Sequence, residues 1–286
     1  MKIISLVIIC LFVTACGSGT SGPETTIVNP TITETESQTY SWFDVYDTKL
    51  DKEISIDSYN EDLRQTKSLF NYTVDNKGNE FYISKNTGTK RILMFPGYGL
   101  NADNYLGYPY SPLTKKLIDN GYTVIMTNNP PYKNNTNILF TNNGSTYNTT
   151  FSTMLDDKFN WINFQIGHSL DYTYYGTSFG GYHALLATCL KPYNHTILTT
   201  LSIIQPGDLL KNNQQILNSI TSDNCVKTIR NKKTVFVYGD ADKIAKPKFI
   251  EDYIALLNSR TVYSAKILGL GHLTTEFGDR LAFYRR

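Results

Sequence analysis

Three short apolar runs constrain the fold more than any other feature of the chain: Arg91 to Pro96 (RILMFP), Tyr122 to Thr127 (YTVIMT) and Thr234 to Gly239 (TVFVYG). Each is continuous rather than alternating, so each needs apolar neighbours on both faces. That is the environment of a parallel strand covered by two helical layers. Further strands are predicted at Phe70–Val74, Glu80–Ser84, Tyr172–Gly176, Ile197–Ile204 and Val262–Leu268. Helical patterns separate them, at Pro112–Asn120, Phe151–Gln165, Phe179–Leu190, Leu209–Ile220 and Pro247–Leu257. Strand–helix alternation after residue 90, with a hairpin before it, predicts a doubly wound, mostly parallel eight-stranded α/β sheet. With 286 residues, 41% of them hydrophobic, the chain can bury the core of one large domain, read here as residues 42–286.

Ahead of that domain lie two segments of different character. An apolar run from Ile3 to Val13 follows one lysine and is too short to span a bilayer, so it reads as an export signal. Val13-Thr14-Ala15-Cys16 resembles the lipobox of bacterial lipoproteins, in which the cysteine is lipidated and becomes the mature N-terminus. The resemblance implies a signal peptide over residues 1–15, a lipid on Cys16 and a place in the cell envelope. That place is the outer membrane or the outer face of the cell membrane. The alternative is an ordinary export signal with an incidental cysteine. Residues 16–41, rich in Thr, Ser, Gly, Pro and Glu, have the composition of a flexible tether. With 27 basic and 25 acidic side chains and no run of like charge, nothing points to nucleic acid as a partner.

Gly176-Thr177-Ser178-Phe179-Gly180 fits G-x-S-x-G. Alone, such a match arises by chance in roughly one chain in ten of this length. Its setting strengthens it, because a strand is predicted to end at Gly176 and a helix to begin after Ser178. A serine hydroxyl needs a base to take its proton and an acid to hold that base. Of the four histidines, His168 and His195 precede strands and belong at the opposite edge of the sheet. His183 shares the helix after Ser178 and is directed away from it. His272 follows the last strand, at the edge where Ser178 sits, and is the candidate base. Asp242 and Asp240 both follow the strand ending at Gly239. Asp242 is preferred as the acid on loop position, and Asp240 suits a turn. Asp208 is a third candidate, better read as a helix N-cap.

The order Ser178, Asp242, His272 resembles the α/β-hydrolase fold, whose triad runs in that order with the nucleophile elbow after the fifth strand. The resemblance covers most of residues 70–286. Ile92 to Tyr105 (ILMFPGYGLNADNY) is similar to the family's oxyanion loop after the third strand, with Pro96 where a histidine is usual. The oxyanion hole so implied consists of the backbone N–H groups of Tyr98 and Phe179. Two departures stand out. The loop after the fourth strand, TNNPPYK from Thr127 to Lys133, lacks the usual Asp/Arg and paired-glycine pattern. The link from Ile204 to Thr234 is too short for a large cap domain, which implies a shallow or partly lidded site bordered by Tyr98, Tyr105 and residues 132–150. In the same topology Cys189 and Cys225 fall at the far edge of the sheet, where they form either a structural disulfide or two buried thiols.

The expected function is therefore serine hydrolysis of a small acyl ester or thioester, on a membrane-anchored protein. A serine peptidase like the prolyl oligopeptidases is the near rival, and a non-catalytic surface binding protein of the same fold is the rival from another class. No metal or organic cofactor is implied, since the sequence holds no H-E-x-x-H or clustered His/Cys ligand set.

Overall fold

The computed structural model describes residues 25–26, 56–97, 102–107, 110–128, 144–191, 197–200, 214–243 and 245–267. Its strands are β1 (Thr25–Thr26), β2 (Phe70–Val74), β3 (Glu80–Ser84), β4 (Arg91–Phe95), β5 (Thr123–Thr127), β6 (Tyr172–Thr177), β7 (Ile197–Thr200), β8 (Thr234–Gly239) and β9 (Val262–Ile267). They form one sheet in the order β1-β9-β8-β7-β6-β4-β5-β3-β2. The pairs from β5 through β4, β6, β7 and β8 to β9 are parallel, so the C-terminal ends of six strands share one edge. The expected eight strands are present. The ninth, β1, lies in the segment read as tether and pairs antiparallel with β9, Thr25 opposite Ile267.

The hairpin is β2–β3, in register from Phe70 opposite Ser84 to Val74 opposite Glu80. Its turn is built by Asp75, whose carboxylate accepts the backbone N–H groups of Lys77 (2.9 Å) and Asn79 (2.7 Å). Gly78 completes it at φ +80°, a conformation open to glycine.

Helices cover both faces. They are α1 (Ile56–Ser68), α2 (Ser111–Asp119), α3 (Gly144–Ile166), α4 (Phe179–Leu190), α5 (Gln214–Thr221), α6 (Asp223–Arg230) and α7 (Pro247–Leu257). Every residue of β4, β5 and β6 is buried, as continuous apolar strands require. Successive residues feed opposite layers. Leu93 and Phe95 join a core with α3, α4 and α7, while Ile92 and Met94 join a second core with Tyr105, Leu113 and Leu117 on the α2 side.

Three helices depart from expectation. α1 is polar for most of its length and sends Leu63 toward the second core, too weak an apolar pattern to read as a helix. α3 begins at Gly144, ahead of the predicted start at Phe151, in a run rich in Asn, Thr and Ser. The helix expected at Leu209–Ile220 is present over its described part as α5, and a further helix not expected, α6, follows it and carries Cys225. Residues 209–213 lie outside the described residues.

Candidate active site

The strand–turn–helix at 172–190 is built around one unusual residue. Ser178 has φ +53° and ψ −121°, in a region that side-chain-bearing residues avoid. The flanking glycines make the bend possible. A methyl carbon at Gly176 would overlap the backbone of Gly180, and one at Gly180 would overlap the carbonyl groups of Phe95 and Pro96. Gly181 then donates its N–H to the Ser178 carbonyl at 3.0 Å and opens α4. Ser178 occupies the N-cap position of that helix, yet its side chain makes no capping hydrogen bond. It is only 2% exposed and lies at the C-terminal edge of β6.

Asp242 follows β8 at the same edge. It is 3% exposed, and its Oδ1 accepts the N–H of Ala245 at 2.8 Å. Asp240, two residues earlier, is exposed. The backbone donor fixes the orientation of the buried Asp242 carboxyl group at the strand edge. His272, Tyr98, Cys16, Asp208 and His195 lie outside the described residues. The structure thus brings Ser178 and Asp242 to one edge. Phe179, the other expected oxyanion donor, is the first residue of α4 and is buried.

The described histidines have other settings. His168 is exposed and precedes β6, at the edge away from Ser178. His183 is 1% exposed, stacked on Phe151 at 5.0 Å and edge-on to Phe179 at 4.5 Å. Burial pushes its pKa from 6.5 down to about 3, and Lys158 adds to the effect, so the ring stays neutral. It is a core histidine.

Two side chains near this edge differ from expectation or escaped it. Tyr105, expected at the rim, is 1% exposed and sits in the second core with its ring edge-on to Tyr110 and Tyr175. Lys158 is fully buried, with its ammonium bonded to the Thr127 hydroxyl and the Asn128 carbonyl and lying 5.2 Å from the Phe81 ring centroid. Burial lowers its pKa from 10.5 to about 7, against a small opposing pull from Asp75. The signal for its burial was present, since Phe151, Leu155, Lys158 and Ile162 fall on one helical stripe.

The loop after β5 lacks the family's Asp/Arg pattern but keeps an acceptor. Asn128 Oδ1 receives the N–H of Ala102 at 2.9 Å, and its Nδ2 donates to Glu80 Oε2 at 2.6 Å. Far from Ser178, at the other end of α4, Cys189 and Cys225 are joined in a disulfide with Cα atoms 4.9 Å apart.

No protein-family model matches the sequence, and no curated protein matches it. Solved structures do. An esterase from Pyrococcus furiosus is 13% identical, with a TM-score of 0.51 over 77% of this chain and 92% of its own. The alpha/beta hydrolase GrgF from Penicillium sp. sh18 is 12% identical, with a TM-score of 0.51 over 76% of this chain and 95% of its own. At these identities the likeness concerns the fold. The chain has the α/β-hydrolase fold, with the turn at Ser178 after the fifth strand counted from Phe70.

Proposed function

We propose that this chain is a serine hydrolase that cleaves a carboxylic ester or thioester through an acyl-enzyme on Ser178. The observation that carries the reading is the backbone of Ser178, a residue with a side chain held at φ +53° where glycine would be unstrained. Such strain costs on the order of 1–3 kcal/mol and persists where function needs it. In the proposed reaction Ser178 Oγ attacks the acyl carbon while His272 takes its proton. Collapse of the tetrahedral intermediate breaks the bond to the alkoxide or thiolate, which leaves with that proton. Water then repeats the sequence to free the acid. Asp242 orients and stabilises the imidazolium, and the N–H groups of Tyr98 and Phe179 receive the negative charge on the carbonyl oxygen.

Lipidation at Cys16 after removal of residues 1–15 would place this activity at a bacterial membrane, outside the cytoplasm. The supporting feature is the Val13-Thr14-Ala15-Cys16 stretch followed by glycine and serine. A panel of p-nitrophenyl esters of graded chain length, run beside aminoacyl anilides, tests the activity. The expected result is ester turnover that Ser178→Ala abolishes and that His272→Ala and Asp242→Asn reduce. Amide turnover exceeding ester turnover favours the peptidase, and a folded wild type inert to both favours a binding protein.

A further inference from the structure

We propose that Tyr105 is a positioning residue for Ser178, acting through a hydroxyl that ties the ends of β4 and β6 together; this rests on the hydrolase reading above. Tyr105 closes a single 3-10 turn, Ala102–Tyr105, and its side chain is buried in the core that Ile92, Met94 and Tyr175 supply from β4 and β6. Its hydroxyl donates to the Phe95 carbonyl at 2.7 Å and lies 2.7 Å from the Thr177 hydroxyl. A phenol has one proton. With that proton on Phe95, Thr177 is the donor in the second bond.

The two partners are the last residues of their strands. Phe95 ends β4 and leads into the loop expected to supply an oxyanion donor. Thr177 ends β6 and is bonded directly to Ser178. The Phe95 carbonyl is also the group that a methyl carbon on Gly180 would strike. One carbonyl oxygen therefore touches the first turn of α4 on one side and the Tyr105 hydroxyl on the other. Displacing it moves the floor under the elbow.

The clamp is held in turn. The Tyr105 ring meets Tyr110 edge-on at 4.9 Å and Tyr175 at 5.7 Å, and the Thr114 hydroxyl donates to the Tyr105 carbonyl at 3.0 Å. Burial raises the phenol pKa well above 10, so the donor keeps its proton across the working range. Strained backbone at Ser178 requires surroundings that over-determine it, and this network supplies part of that constraint.

Tyr105→Phe removes the hydroxyl and keeps the ring; Thr177→Val removes the other hydroxyl and keeps the branch. The control is Tyr253→Phe, which deletes a buried hydroxyl bonded to the Ile220 carbonyl at 3.1 Å between α7 and α5. Small misplacements of reacting groups can cost up to about a hundredfold in rate, so a partial one is expected to lower kcat about tenfold with KM within twofold. Both site variants should show this loss on p-nitrophenyl acetate, and the double variant should lose little more, because the two hydroxyls act as one unit. Tyr253→Phe should lose comparable thermal stability and keep kcat. Wild-type kcat in folded Tyr105→Phe, an equal loss in Tyr253→Phe, or a fully multiplicative double variant overturns the proposal alone. A wild type that turns over no ester overturns the hydrolase reading, and this inference with it.

Discussion

Replacing Ser178 by glycine and, separately, by alanine isolates the strain at the elbow. Both variants delete Oγ, so its contacts cancel in the comparison. What differs is the Cβ, held in alanine at φ +53°. Relief of an unfavourable non-glycine conformation is worth about 1–3 kcal/mol. Glycine gives back about 0.4–1 kcal/mol through the greater freedom of the unfolded chain. The balance favours Ser178→Gly over Ser178→Ala by about 0.5–2 kcal/mol, whereas in relaxed helix or strand glycine is worse than alanine by roughly 0.5–1 kcal/mol. The sign therefore reverses. In a domain of 150–250 residues each kcal/mol moves Tm by about 2–4 °C, so the two melting curves should separate by about 1–8 °C, and urea midpoints should follow in the same order. A Ser178→Ala protein as stable as Ser178→Gly, or more so, would refute the claim that this backbone is strained.

Lys158 and the disulfide give two further outcomes. The Lys158 pKa is about 7 folded against 10.5 for a free lysine, so between these values the unfolded chain binds the extra proton and stability rises with pH. Relative to Lys158→Met, urea-derived stability of the wild type should climb by about 3–4 kcal/mol from pH 7 to pH 10, and a flat difference counts against the buried ammonium. Removing both Cys189 and Cys225 opens a loop with a sequence separation of 36 and should cost about 3–4 kcal/mol in urea unfolding. Ester turnover should survive that change, because the bond lies at the far end of α4 from Ser178.

The parallel strands were legible because burial on both faces demands continuous apolar residues, and β4, β5 and β8 have little else. α4 and α7 begin and end where their sequence patterns do, one entered through glycines and the other through Pro247. α6 carried a weaker signal, Asp223 in its first turn and Arg230 in its last, which a single apolar pattern over 209–220 obscured. α1 is a polar segment whose helicity depends on tertiary neighbours that local propensity does not record, and the sequence over the first turns of α3 is equally polar.

At the candidate site the elbow was readable, since only glycine fits beside Ser178. The two aspartates after β8 were separated by loop position alone, and the structure adds that Asp242 is buried and Asp240 exposed. Tyr105 illustrates the opposite case, and Lys158 a stripe signal outweighed by residue type. A tyrosine in a polar loop reads as rim, and a lysine in a helix reads as solvated surface. In each, one buried polar atom bonds a strand-end hydroxyl, Thr177 for Tyr105 and Thr127 for Lys158, contacts that join residues far apart in the chain.

The most direct test of the serine nucleophile is intact-mass and peptide-mapping analysis after reaction with a fluorophosphonate probe. One adduct per chain is expected, on the peptide containing Ser178, absent from Ser178→Ala and slower to form in His272→Ala. A folded wild type that takes up no probe, or an adduct that persists in Ser178→Ala, contradicts the account.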